Sequence, residues 1–337
     1  MLNAYKHNAN HELVPVDIDS AEKGSWINCS APTEEELIHI HKLTGIPVNS
    51  LQTVLDREER SHVELEDEYI FVVVNTPVLL CEDSYDALPL GIFITRMYFV
   101  TVCLEENAVI SSFLANKRYS FQTYKKTRFL FQILSSASSS FLHYLQEIYR
   151  QTDVIGIRVR KSLQNKEIFR MLELQKSLTY FNFALHANES VMERLMRLRN
   201  NSLSSPSLLK MYEEDEDLLE DVIIENKQAL EMCGVYSNIL ISMMDSYSSI
   251  ISNSLSQIMK FLTSVTIILA VPTVLYSLWG ANVPMPMENT PYGFWALLLG
   301  GYGTCYFLSL EKGYALIKIP ARQVFFYEIY GGTHVYF

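Results

Sequence analysis

Basic side chains are scarce in this sequence: 27 Lys and Arg stand against 38 Asp and Glu over 337 residues, a formal charge of −11. A nucleic-acid binder presents a basic stripe to phosphate, so no nucleic-acid partner is expected. Metal-binding clusters are missing as well. Cys29, Cys81, Cys103, Cys233 and Cys305 are odd in number and widely scattered, with no CxxC pair. His39 and His41 stand two apart and do not share a helix face. Zinc needs short-spaced thiolates or imidazoles, whereas isolated thiols fit a reducing cytosol. There is no phosphate loop, no HExxH and no GxSxG, so an enzyme is not expected and no cofactor is implied. Residues 1–10 are polar and lack an apolar core, which argues against a cleavable signal peptide and for a cytosolic N-terminal portion. Charge is also missing locally: from 246 to 310 only Lys260 and Glu288 carry any.

What is present divides along the chain. Residues 1–126 mix the two periodicities of an α/β unit. Trp26-Ile27-Asn28 reads as a short strand, and Thr33 followed by Glu36 predicts a capped helix to about Thr44. Runs at 69–74, 90–95 and 98–104 are rich in β-branched and aromatic residues and predict strands, with 83–89 as a loop or hairpin connection. Residues 127–206 read as a cytosolic helical region, closed by the Ser-rich break Leu203-Ser204-Ser205-Pro206-Ser207. A long stalk helix is predicted over 207–257. Its apolar seam of Val222, Ala229, Met232, Tyr236, Ile239, Met243, Tyr247 and Ile250 suggests helices packed side by side in an oligomer.

Two uncharged stretches follow, within 258–279 and 291–310, each long enough to span a bilayer. Lys260 before the first and Lys312 after the second place both termini in the cytoplasm by the positive-inside rule. The loop 280–290 is then extracytoplasmic and 311–337 a cytosolic tail, in a multi-pass protein of the inner or plasma membrane. The second span holds Gly300, Gly301, Gly303 and Thr304, which permit close helix contact. The first carries Thr263, Ser264, Thr266, Thr273 and Ser277 together with Pro272. Such hydroxyls either bond back to their own helix or line a pore, and on a span continuous with a stalk they suggest a pore wall.

At the end of the first span the residues become specific. Ser252-Asn253, Met259-Lys260, Leu262-Thr263, Trp279-Gly280-Ala281-Asn282-Val283 and then Met285-Pro286 with Glu288 resemble the CorA family of divalent-cation channels. The likeness is densest over 244–286, and the order of α/β domain, long helices and two terminal spans extends it across the chain. The sequence departs from the family pattern at Ala281, where the family has methionine, and at Trp279, where it has tyrosine. Pro272 also stands one residue later than the family's proline, and the aromatic tail differs from a short basic one.

The resemblance implies a CorA-like funnel and a homo-oligomer, pentameric in the family. Mg²⁺ would be both the transported and the regulatory ion, with Co²⁺ or Ni²⁺ as further cargo. It implies a filter at Gly280, Ala281 and Asn282, a pore lined by Ser256, Met259, Leu262, Thr266, Ala270, Thr273 and Ser277, and cation attraction by Glu288. Regulatory carboxylates are sought in the acidic run Glu213, Glu214, Asp215, Glu216, Asp217, Glu220 and Asp221, since oxygen-rich acidic surfaces suit hard cations. A zinc-transporting relative of the same fold and a non-conducting, membrane-anchored coiled-coil scaffold remain open.

Overall fold

The computed structural model describes residues 1–8, 12–81, 83–115, 121–161, 165–200, 208–280, 290 and 292–316. They group into two units, Met1–Ser246 and Tyr247–Phe337.

The first unit is built on a seven-stranded sheet. Its strands are β1 (Leu2–His7), β2 (Leu13–Val16), β3 (Trp26–Ser30), β4 (His62–Leu65), β5 (Tyr69–Cys81), β6 (Ser84–Thr95) and β7 (Phe99–Cys103). The order is β2-β1-β3-β7-β6-β5-β4, with β3 and β7 parallel and the other neighbours antiparallel. The central strands are apolar without alternation because both faces are covered. One face sends Ile70, Val72, Val74, Leu90, Ile92 and Ile94 into the larger core, with Phe129, Leu134, Met192 and Leu219. The other packs Phe71, Val73, Phe93 and Val100 on Leu37, Ile40 and Leu51, from helices α1 (Glu34–Thr44) and α2 (Val48–Thr53).

The capping box at α1 is as the sequence predicts. Thr33 Oγ1 accepts from Glu36 N at 3.2 Å, Glu36 Oε2 accepts from Thr33 N at 2.9 Å, and the helix stops at Gly45 with φ +78°. Gly91 is fixed by packing instead. A Cβ there would stand 2.9 Å from one methyl of Val54 and closer to the other.

Residues 84–89, expected as a connection, are strand. β5 and β6 stay paired from Asn75↔Pro89 to Cys81↔Ser84, turning at Asp83 with φ +68°. After the short helix α3 (Ala108–Leu114), the long helices α4 (Lys126–Lys161) and α5 (Asn165–Asn200) hold the hairpin arm. Tyr85 N donates to Ser177 Oγ at 2.9 Å, its hydroxyl accepts from Gln151 Nε2 at 3.1 Å, and Arg170 pairs with Asp83 at 3.2 Å. Asn188 of α5 supplies both missing ladder bonds to Asn75: its Oδ1 accepts from Asn75 N and its Nδ2 donates to Asn75 O, each at 2.8 Å.

The helical region is thus two helices, α4 and α5, and the Ser-rich break at 203–207 lies outside the described residues. The following helix, α6, spans Glu213–Trp279 and starts later than the predicted 207. Asp215, buried, accepts from Tyr212 N at 3.2 Å and caps the first turn. Within the first unit the buried stripe of α6 is Asp215, Leu219, Val222, Asn226, Ala229, Cys233 and Leu240. It shares Val222 and Ala229 with the predicted seam, then departs from it: Met232, Tyr236 and Met243 are half-buried and Ile239 is exposed. Asn226 and Cys233, absent from the predicted seam, are buried members of it, each donating one bond to α5. Asn226 Nδ2 donates to Leu185 O at 3.0 Å and Cys233 Sγ to Leu178 O at 3.2 Å. Within this unit the buried stripe of α6 therefore packs on a helix of the same chain.

Candidate functional site

In the second unit, residues 247–279 of α6 carry one charge, Lys260. Among the described residues α6 is the one helix long and apolar enough to cross a membrane. At roughly 100° per residue, Ser256, Met259, Leu262, Thr266, Ala270, Thr273 and Ser277 fall within an arc of about 120°. All seven are exposed. Thr263 lies on the same arc. The half-buried positions Ser264, Val265, Ile268, Val271, Pro272 and Trp279 occupy the opposite side. The helix runs through Pro272 without a break.

The hydroxyls are locally bonded. Thr263, Ser264, Thr266 and Thr273 donate to the carbonyls of Met259, Lys260, Leu262 and Leu269 at 2.7–2.8 Å. Each proton is thereby committed to the helix, which leaves the oxygen as a pure acceptor.

Helix α7 (Gly293–Leu316) coincides with the second predicted span but runs on past it through Glu311 and Lys312. Its covered positions include Leu298, Gly301 and Thr304. The ring of Tyr276 lies on Gly301: a Cβ built there would be 2.7 Å from Tyr276 Cζ and closer still to the hydroxyl oxygen. Gly300 and Gly303 face open space. In the sequence Gly301 stands out only as one small residue among several, and nothing marks Tyr276.

Gly280 closes the last turn of α6, its N–H donating to Tyr276 O at 3.0 Å. Helices often end on a left-handed glycine, but the positive-φ glycines among the described residues are Gly24 and Gly45. A Cβ on Gly280 would approach nothing nearer than 3.5 Å. Neither backbone conformation nor packing requires a glycine here. Ala281, Asn282 and Glu288 lie outside the described residues.

The acidic run does not act as one cluster. Asp215 is spent on its cap, and Glu214 pairs with Arg128 at 2.7 Å, a hydrogen bond that lowers the Glu214 pKa. Glu213, Asp217, Glu220 and Asp221 are exposed and Glu216 is half-buried. Among the described residues no three His, Cys, Asp or Glu side chains converge to hold a metal ion.

The family described as CorA-like Mg²⁺ transporter protein matches residues 21–310. The chain belongs to the CorA family. It is 29% identical over 283 residues to the cobalt/magnesium transport protein CorA of Methanocaldococcus jannaschii, an alignment covering 81% of this chain and 84% of that protein. The complete structure of the CorA magnesium transporter from the same organism superposes with a TM-score of 0.78 at 26% identity, covering 92% and 96% of the two chains. The full-length CmaX protein shares the fold, with a TM-score of 0.67 at 16% identity over 92% and 96%. As a CorA member the protein is a membrane transporter of divalent cations and not an enzyme.

Proposed function

We propose that this CorA protein is a homo-oligomeric channel, pentameric like the family it resembles, that carries Mg²⁺ inward as a hydrated ion, with Co²⁺ or Ni²⁺ as further cargo. The observation that carries the reading is the exposed, acid-free stripe from Ser256 to Ser277, opposite the half-buried side of α6 and ending at Gly280. Mg²⁺ holds its waters tightly and prefers octahedral oxygen. A hydrated cation turns water protons outward, so its wall must accept hydrogen bonds. Thr266 and Thr273, with their own protons committed to Leu262 and Leu269, offer acceptors only. Neutral oxygens hold the hydrated ion loosely enough for it to leave again.

In this reading Gly280, Ala281 and Asn282 ring the outer mouth, and the Asn282 amide oxygen meets the ion's water shell. Glu288 raises the local cation concentration. Met259 and Leu262 form apolar rings that close by dewetting. Both termini are cytoplasmic, with the loop 280–290 outside. Cytosolic Mg²⁺ gates the channel through the acidic run, where the exposed Glu213, Asp217, Glu220 and Asp221 remain available to a cation after Glu214 and Asp215 are engaged.

The test is Mg²⁺ and Zn²⁺ flux into proteoliposomes holding the purified protein, beside Asn282→Ala. Mg²⁺ flux that falls to background in the variant is expected. Zinc flux alone would assign the chain to zinc transport, and no flux of either ion from a folded oligomer would favour the scaffold.

A further inference from the structure

Gly280 and Tyr276 are tied by the last hydrogen bond of α6, Gly280 N to Tyr276 O at 3.0 Å. The same Tyr276 lays its ring on α7 at Gly301, where the ring itself leaves no space for a methyl group. Thr304 reinforces that spot by donating to Gly301 O at 2.9 Å. One residue thus joins the end of the pore-facing helix to its neighbour, through its carbonyl on one side and its ring on the other. The Tyr276 side chain is 43% exposed, and Gly301 is the buried position on which its ring rests. Gly300 and Gly303, one and two residues away, have open space and could take a methyl group freely. The demand for glycine is therefore specific to position 301.

We propose that Tyr276 and Gly301 are positioning residues for ion selection: the ring-on-glycine contact sets where Gly280 stands at the mouth of the pore. This rests on the reading of Gly280 as part of the filter. Neither residue touches the ion. Displacing the Tyr276 ring shifts its carbonyl, and with it the amide it holds, so that the filter loses its spacing while the oligomer stays intact.

The experiment is a double-mutant cycle on the full-length protein with two readouts. The first is Mg²⁺ flux in proteoliposomes, with Co²⁺ and Ni²⁺ as competitors. The second is the thermal midpoint of the detergent-solubilised oligomer. The variants are Gly301→Ala, Tyr276→Ala, Tyr276→Phe, both doubles and Gly300→Ala, with Asn282→Ala as the filter control. Gly301→Ala is expected to lower Mg²⁺ flux by about tenfold and to change the order of competition by Co²⁺ and Ni²⁺, as contacting residues couple at that scale. Adding Tyr276→Ala recovers part of the loss. Tyr276→Phe recovers less, since Cζ still stands 2.7 Å from the new methyl carbon. Gly300→Ala behaves as wild type.

Additive effects of Gly301→Ala and Tyr276→Ala in both readouts would overturn the contact. Coupling in thermal midpoint without any change in flux or competition would leave the contact purely structural and overturn the positioning role. If wild type conducts and Asn282→Ala does not, either result counts against the positioning role alone and leaves the filter standing. A wild type that conducts no divalent cation sinks the filter reading itself, and the positioning role with it.

Discussion

Single residues in the first unit carry two measurable consequences. Gly91 lies in β6 beneath Val54, and a methyl group there meets both Val54 methyls at or under 2.9 Å. Gly91→Ala should therefore cost about 1–3 kcal/mol, the usual penalty for overpacking. The thermal midpoint should drop, and Val54→Ala in the same chain should restore much of it. Lys126 sits at the start of α4 and donates to Thr95 O at 2.7 Å and Arg96 O at 3.0 Å. Burial, with a smaller contribution from Lys23, pulls its pKa from 10.5 down to about 8. Between those two values the unfolded chain binds more protons at this site than the folded one, so stability rises with pH across that window. Below about pH 8 the penalty is present in full. Denaturation midpoints measured from pH 7 to 10.5 should rise more steeply in wild type than in Lys126→Met.

Among whole elements, some were legible in the sequence and others were not. The Thr33–Glu36 capping box announced α1 because its signal is local, and the runs at 69–74 and 90–95 announced strands because both faces of the sheet are buried. The β5–β6 arm escaped notice because its outer half carries Asn75, Pro77, Asp83 and Pro89 and is held by Ser177, Gln151 and Arg170, residues far along the chain. β1 and β2 are hard to see for a different reason: β2 is a four-residue edge strand containing Pro15, and β1 beside it interrupts its apolar residues with Asn3, Lys6 and His7. The seam of α6 was half read, since Asn226 and Cys233 look wrong for a core until the α5 carbonyls are known. Asn188 gives the clearest test at this scale. Asn188→Ala removes the side-chain partner of the buried C=O of Asn75 and leaves its N–H with the longer bond to Ser61 Oγ at 3.2 Å, a loss of about 1–3 kcal/mol for the unsatisfied carbonyl. Hydrogen exchange should show the Asn75 amide deprotected well before the inner residues of β5.

For the whole molecule, family membership was legible from a few residues around Gly280, and the match over 21–310 carries it through the chain. The exposed stripe proposed to line the pore could be numbered from the sequence and the family resemblance, but the Tyr276–Gly301 contact could not, because it depends on how α7 meets α6. The acceptor-only wall yields a prediction of its own. Thr273→Val keeps the shape and removes the oxygen, so Mg²⁺ flux should fall about tenfold, a barrier increase of ~1.4 kcal/mol, with oligomer assembly unchanged. Thr273→Ser, which keeps the hydroxyl, should conduct nearly as wild type. The antiparallel bond pairs Asn226–Leu185 and Cys233–Leu178 are seven residues apart on both helices, and the same step in either direction lands on buried Leu219, Met192, Leu240 and Met171. That spacing limits how the gene can change in length. Within 171–192 or 219–240 a deletion or insertion of one, two, five or six codons turns the rest of the seam by about 100° or more, whereas three, four or seven keep it within about 60° of its face. Surviving length variants of this domain should therefore differ there by three, four or seven residues rather than by one, two, five or six.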